Sequence, residues 1–228
     1  MVSDNVKEIL EKIEISAKKS GRDINDITLI GVTKTIDVGR IKLLLDEGIY
    51  DVGENKVQEL LEKYEQLDKN TRWHFIGQLQ RNKVKYIIDK VKLIHSVDSL
   101  KLAEEINKRA SDKNLVMDVL IEVNIANEDS KAGIKDTELK SLIQNMSKLN
   151  NISVKGLMTV APFVENSEEN RYYFGKMKKL FLDNGGDFSN NIGMKYLSMG
   201  MTNDFEVAIE EGSNMVRIGS GVFGARTY

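Results

Sequence analysis

Short apolar runs alternate along the chain with longer, charged segments of helical period. The runs are ITLIGVT (27–33), YDVG (50–53), WHFIG (73–77), KLIHSV (92–97), VMDVLIEVNI (116–125), VKGLMTV (154–160), MKYLSMG (194–200) and MVRIGS (215–220). Each has the length of a buried strand. The segments between them, VGRIKLLLDEG, ENKVQELLEKYEQL, RNKVKYIIDK, DSLKLAEEINKRASD, DTELKSLIQNMSKL, ENRYYFGKMKKLFLD and NDFEVAIEEG, read as helices, and several begin just after Asp, Asn or Ser, as N-caps do. Before all of these, Val6, Leu10, Ile13 and Ala17 recur at helical spacing and predict a leading amphipathic helix over residues 3–19. Eight strand–helix repeats predict an α/β fold, a single (β/α)₈ TIM barrel with an extra N-terminal helix; such barrels run to about 250 residues. A doubly wound open sheet is the alternative, because periodicity alone leaves the strand count uncertain by one or two. The single proline, Pro162, and the lack of a Gly/Ser-rich linker point to one domain spanning residues 1–228.

Composition narrows the function classes. A hydrophobic fraction of 41% and a charged fraction of 30% are those of a globular protein with a substantial core. A net charge of −2, from 33 basic and 35 acidic residues, gives no global field toward nucleic acid or an anionic membrane. The absence of cysteine excludes disulfides, thiolate metal sites and a cysteine nucleophile, and two histidines, His74 and His95, leave little scope for a histidine-rich metal site. The N-terminal stretch MVSDNVKEILEKIEIS is neither a signal peptide nor a membrane span, so the cytoplasm is the expected compartment.

The chemistry gathers at run ends. Lys34 closes the first run, where a barrel strand would project it from the C-terminal mouth. A partly desolvated amine there can form a Schiff base with an aldehyde or ketone. In MVRIGSGVFG (215–224), glycine and serine could wrap a phosphate while Arg217 neutralises it. Together they predict a carbonyl-bearing phosphate ligand. Other run ends add Asn55, His74, Ser96, Met158 with Thr159, Ser198 with Met199 and Gly200, Asn203, and Gly219 with Ser220. In barrels, phosphate often sits between the loops after strands 7 and 8. No P-loop is present, which argues against nucleotide hydrolysis. Each feature also has a plain structural reading. Lys34 could be solvated, GSGVFG a simple turn, and His74 a hydrogen-bonded structural residue. Glu54, Glu122 and Asp204 could be helix caps or solvated charges. KVKYIIDKVK reads as a surface helix, and Met117, Met158 and Met194 as core filling. Convergence of several signals on one barrel face favours the functional reading.

The segments IGVTKTIDVGRIKLLLDEGIYDVGENKVQE, WHFIGQLQRNKVKYI, IHSVDSLKLAEEI, VLIEVNIANEDSKAGI, GLMTVAP and LSMGMTNDFEVAIEEGSNMVRIGSGVFG closely resemble the YggS/PROSC family of pyridoxal phosphate homeostasis proteins, relatives of the N-terminal barrel of alanine racemase. The likeness runs in order from about Leu29 to Gly224. It implies a single-domain barrel with an extra N-terminal helix and a pyridoxal 5′-phosphate Schiff base on Lys34. It also implies a phosphate cup of Ser198, Met199 and Gly200 with Arg217, Gly219 and Ser220, and Asn55 in the pocket lining. Thr is frequent in the family at the position of Ser220, and Ser keeps the hydroxyl.

The function implied is cofactor homeostasis by a monomer that is not an enzyme, binding pyridoxal phosphate and buffering it or delivering it to apo-enzymes. A fold-type III racemase is the alternative. Racemases of that type add a C-terminal β-domain and need a second base opposite the lysine. This chain stops at Tyr228, and a terminal residue is too mobile to be expected in that role. An aldolase that binds a sugar phosphate on Lys34 is a third reading, and a purely structural role leaves Lys34 and the phosphate cup unexplained.

Overall fold

Each of the eight apolar runs overlaps a strand in the computed structural model, which describes residues 1–128, 130–185 and 191–224. Tyr228, considered above as a base, lies outside them. The strands are β1 (Thr28–Val32), β2 (Asp51–Glu54), β3 (Arg72–Phe75), β4 (Leu93–Val97), β5 (Met117–Glu122), β6 (Ile152–Met158), β7 (Ile192–Ser198) and β8 (Met215–Ile218). They pair in parallel in chain order, and β8 returns to β1 with Thr28 beside Met215 and Gly31 beside Ile218, closing the barrel. The open-sheet alternative is thereby excluded.

The outer ring holds α1 (Val2–Lys19), α2 (Val38–Asp46), α3 (Val57–Tyr64), α4 (Val84–Ile87), α5 (Leu100–Asp112), α6 (Leu139–Met146), α7 (Arg171–Asp183), α8 (Phe205–Glu210) and α9 (Ser220–Phe223). Side-chain caps start two of them. The Asp37 carboxylate accepts from the Arg40 amide at 3.0 Å, and the Ser99 hydroxyl caps α5 at Leu102. α1 buries Val2, Val6, Ile9, Ile13 and Ala17 in the main core and packs against α2, α8 and α9, pinned to the last by Asn5 Nδ2 donating to the Val222 carbonyl at 2.9 Å. KVKYIIDKVK is helical only in its first half. A 3₁₀ turn ends at Lys83, the four-residue α4 follows, and the chain then turns, because the Lys92 amide must already bond the Trp73 carbonyl to begin β4.

Two cores follow from the alternation of strand side chains. Ile30, Leu93, Leu120, Met158 and Met215 form a small cluster inside the barrel, with Tyr196 packed against it. The large cluster, including Leu29, Val52, Ile94, Val119, Ile121, Leu157, Val216 and Ile218, lies between strands and helices. Met117 and Met158 are buried as core methionines, and Met194 is half-buried against the outer core.

The β6–β7 seam depends on one glycine. Gly156 sits at a register shift with φ +147°, and a Cβ there would lie 1.8 Å from the Tyr196 carbonyl oxygen. Gly156→Ala is expected to lower stability beyond the about 1–3 kcal/mol that a strained backbone costs alone. Urea unfolding measures it; an unchanged midpoint would mean that the seam accommodates a side chain.

Candidate functional site

The barrel's inner face turns polar one step toward the C-terminal mouth. Counting by two from the apolar inner layer, Ile30 leads to Val32 and Lys34, Leu93 to His95, Leu120 to Glu122, Tyr196 to Ser198, and Met215 to Arg217 and Gly219. This register brings residues far apart in sequence into one layer. Above it opens a cavity of about 400 Å³, lined among others by Lys34, Arg217, Gly219, Ser220, Thr202 and Asn203. Its walls include Val32, Val160, Pro162 and Phe163.

Arg217 is the buried charge of the site, with 4% of its surface exposed. Its Nη1 donates to Ser198 Oγ at 2.6 Å and its Nη2 to the Thr159 carbonyl at 2.9 Å. Burial lowers its pKa to about 10, against the pull of Glu122 and Asp204, so it stays cationic at neutral pH.

A chain of hydrogen bonds continues from Arg217 across the barrel. Ser198 Oγ lies 3.0 Å from His95 Nδ1, His95 Nε2 lies 2.9 Å from His74 Nδ1, and His74 Nε2 lies 2.9 Å from Asp51 Oδ1. Donor logic assigns every proton. The Asp51 carboxylate can only accept, so His74 donates to it from Nε2, and a neutral His74 accepts at Nδ1 from His95 Nε2. A neutral His95 is then left to accept at Nδ1 from the Ser198 hydroxyl, which itself accepts from the Arg217 guanidinium. Both imidazoles are neutral in this arrangement. Burial pushes His74 down and His95 well below the usual histidine range, which agrees. At the far end, burial pushes the Asp51 carboxyl up, but hydrogen bonds from His74 and Arg72 outweigh it and hold the group well below the usual carboxylate range.

The eight predicted site residues separate into two groups. Lys34, Arg217, Gly219 and Ser220 line the cavity. Ser198 lies beneath it with its hydroxyl engaged by Arg217 and His95, and the Met199 amide is bonded to the Met215 carbonyl. Gly200, at φ +93°, makes the turn that follows; a Cβ there would meet Ala208 at 2.6 Å and the Phe205 backbone at 2.9 Å. Asn55 packs its backbone against Gly77, and its buried Oδ1 has no hydrogen-bond partner.

Other residues enter unannounced by the sequence. The Thr202 hydroxyl meets Ser220 Oγ and the Gly221 amide, each at 3.2 Å. Lys131 donates to the Ala161 carbonyl at 2.6 Å, and Asn170 joins Asp204 at 2.8 Å. The reading of Glu54, Glu122 and Asp204 as solvated charges is corrected, since all three are buried; Asp204 stands at the N-cap position of α8 but makes no side-chain capping bond there. Asp204 accepts from the Met201 amide at 2.7 Å, and Glu54 binds Thr33 and Lys63. Thr202 follows directly on LSMGM, so the strand-end rule extended by two residues would have found it. A histidine inside the apolar run KLIHSV carries no comparable signal.

A closed parallel barrel with a lysine, a buried arginine and a glycine–serine turn at one mouth defines a barrel of the alanine racemase type, and the family model for the alanine racemase N-terminal domain matches residues 10–227. The pyridoxal phosphate homeostasis protein of Aquifex aeolicus is 46% identical over 99% of this chain and 98% of its own length, and the chain belongs to that family. A Bifidobacterium adolescentis protein of known crystal structure superposes with a TM-score of 0.89 at 34% identity, covering 97% of this chain and 94% of its own. PipY of Synechococcus elongatus, solved with pyridoxal phosphate bound, superposes with a TM-score of 0.83 at 25% identity over 98% of this chain and all of its own.

Glu122 makes the site sensitive to pH. Burial, helped by the Asp98 carboxylate and opposed by Arg217, pushes its pKa from 4.5 up to about 7. The folded state therefore holds this proton more tightly than the unfolded chain does. The resulting stability is complete below about pH 4.5 and is lost as pH rises through about 7, some ~3 kcal/mol for a shift of this size. The two buried histidines act in the opposite sense, because their lowered pKa values add stability as pH rises toward 6.5. The Glu122 share is therefore the difference between two proteins: by urea unfolding, Glu122→Gln should gain stability relative to wild type between pH 5 and pH 8. A difference constant over that range would overturn the shift assigned to Glu122.

Proposed function

We propose that this protein binds pyridoxal 5′-phosphate reversibly at the barrel mouth through Lys34, and that it buffers and hands on the cofactor instead of turning over a substrate. One observation carries the reading: Lys34, Arg217, Gly219 and Ser220, drawn from the two ends of the chain, line one cavity. The donor set fits the group, with a half-buried amine, a buried cation, two hydroxyls and apolar walls for a flat ring. The cofactor, when bound, supplies an electrophilic aldehyde and a phosphate by which it can be held.

Each residue then has a task. Lys34 would bond the aldehyde carbon, the carbonyl oxygen leaving as water, and the reverse step would release it. Ser220 and Thr202, already in mutual contact, present hydroxyls to the phosphate, and Gly219 lets the backbone approach it closely. Arg217 lends positive charge from one strand step below, and Ser198 holds that guanidinium in place. Met199 and Gly200 shape the turn that delivers Met201–Asn203 to the rim, while Asn55 lies outside the cavity lining.

The homeostasis role is supported by the naming of the Aquifex relative and by the cofactor held in PipY. It is supported also by how the other ionisable lining groups are engaged. Lys131 bonds the Ala161 carbonyl and Glu128, and Asp204 bonds the Met201 amide and Asn170. Groups so committed suit holding a ligand better than shuttling its protons. The role is that of a cytoplasmic monomer whose recipients are apo-enzymes of the same cofactor, and transfer needs only the exchange of one amine for another. Among the described residues, no helix is long and apolar enough to cross a membrane.

Purified protein supplied with pyridoxal phosphate should colour, and borohydride reduction followed by peptide mass mapping should find a pyridoxyl group on Lys34. Lys34→Ala should lose that adduct while retaining the cofactor non-covalently. An adduct persisting in the variant would move the bond to another amine. Alanine or serine racemisation at the rate of a dedicated enzyme would overturn the homeostasis role itself.

A further inference from the structure

Behind Lys34, on the outer side of the barrel wall, lies a buried cluster that the cavity does not touch. Thr33 and Glu54 alternate with the inward residues and so face α3, which sends Lys63 and Glu59 to meet them. The Lys63 ammonium donates to Glu54 Oε1 at 2.6 Å, to the Thr33 carbonyl at 2.7 Å and to Glu59 Oε2 at 3.4 Å. An ammonium has three donors, and all three are used. Thr33 Oγ1 donates to the same Glu54 oxygen at 2.7 Å, and the Thr35 amide donates to the same Glu59 oxygen at 2.7 Å.

The two bonded backbone groups are the ones that flank Lys34. The Thr33 carbonyl belongs to the peptide bond entering Lys34, and the Thr35 amide belongs to the peptide bond leaving it. Thr35 itself has φ +63°, a left-handed conformation that a threonine adopts only when its surroundings impose it. The Thr33 carbonyl also accepts from the Ile36 amide at 3.0 Å, so the whole turn from 33 to 36 is tied down.

An ion pair this well buried is poor evidence for stability, since apolar residues of equal volume often serve as well or better. Lys63 is 8% exposed and Glu54 is fully covered. What apolar residues could not supply is a donor for the Thr33 carbonyl and an acceptor for the Thr35 amide.

We propose that Lys63 is a positioning residue for Lys34: with Glu54 and Glu59 it clamps the peptide bonds on either side and so directs the Lys34 amine into the cavity. The inference rests on the reading of Lys34 as the amine that bonds the aldehyde. It concerns direction alone, because Lys63 lies outside the cavity lining and touches no ligand.

Two ligands that differ only at the reacting carbon separate aim from general fit. Pyridoxal 5′-phosphate offers an aldehyde, and pyridoxine 5′-phosphate offers an alcohol on the same ring and phosphate. Wild type should prefer the aldehyde. In Lys63→Met the preference should fall at least tenfold while affinity for the alcohol stays within about twofold, and Lys63→Arg should restore part of it. Glu59→Gln keeps the Glu54–Lys63 pair and weakens the hold on Thr35 and the longest of the three Lys63 contacts, so it should lose preference less. It serves as the test if Lys63→Met does not fold, with thermal melts reporting folding in each case. Equal weakening toward both ligands, or a preference intact in the folded variants, would overturn the clamp and leave Lys34 as the bonding residue. A wild type that distinguishes neither ligand would overturn both.

Discussion

A guanidinium enclosed in a parallel barrel is the constraint on which the rest of this site depends. Removing such a charge from water is expensive unless its donors are met. Arg217 finds a carbonyl at the end of β6 and a hydroxyl at the end of β7. That hydroxyl also meets His95, His95 meets His74, and His74 donates its other proton to the Asp51 carboxylate. With both imidazoles neutral, the carboxylate fixes each tautomer and ties the far side of the barrel to the charge at the cavity floor. A proton added to either histidine would set two donors against each other, and burial keeps that proton away.

The period of two divides the labour between the walls of the barrel. Residues in phase with Ile30 reach the cavity, and those out of phase reach the helices. Lys34 and Thr33 are neighbours in sequence, yet one faces the cavity and the other a buried ion-pair cluster. The aim of a side chain in the mouth is therefore set from behind, by contacts a ligand never meets. The same holds opposite, where Gly200 leaves no room for a Cβ beside α8 and so fixes the turn carrying Thr202.

The strands were legible because a parallel barrel demands short, mainly apolar segments, and each of the eight runs is one. Lys34 was legible for the same reason, as the first polar side chain beyond such a run. Ser198 reads differently. A serine at a strand end suits a cavity or an interior equally, and only the arginine beneath the mouth decides between them. His95 sits mid-run with no polar neighbour to mark it. Lys63 belongs to ENKVQELLEKYEQL, whose alternating charges read as a solvated face. Its partner Glu54 is nine residues earlier, a spacing that no helix or strand period explains. Only the crossing from β2 to α3 brings the two together. Sequence patterns report what one element needs, and these residues answer to needs that arise between elements.

That division bears on how a protein could hold a reactive aldehyde without consuming it. The bond to a lysine is open to any aldehyde, so it does not tell one aldehyde from another. Selectivity must come from the phosphate and the ring, that is, from the rigid floor and the Thr202–Ser220 rim. Preorganised donors of this kind strengthen binding chiefly because nothing need be ordered when the ligand arrives. The rim beside them is open, with Phe163 85% exposed at the cavity edge. A fixed floor under an open rim separates the two demands on a carrier. Recognition is built into the barrel, and release depends only on exchange of a single amine bond that an incoming amine can reach.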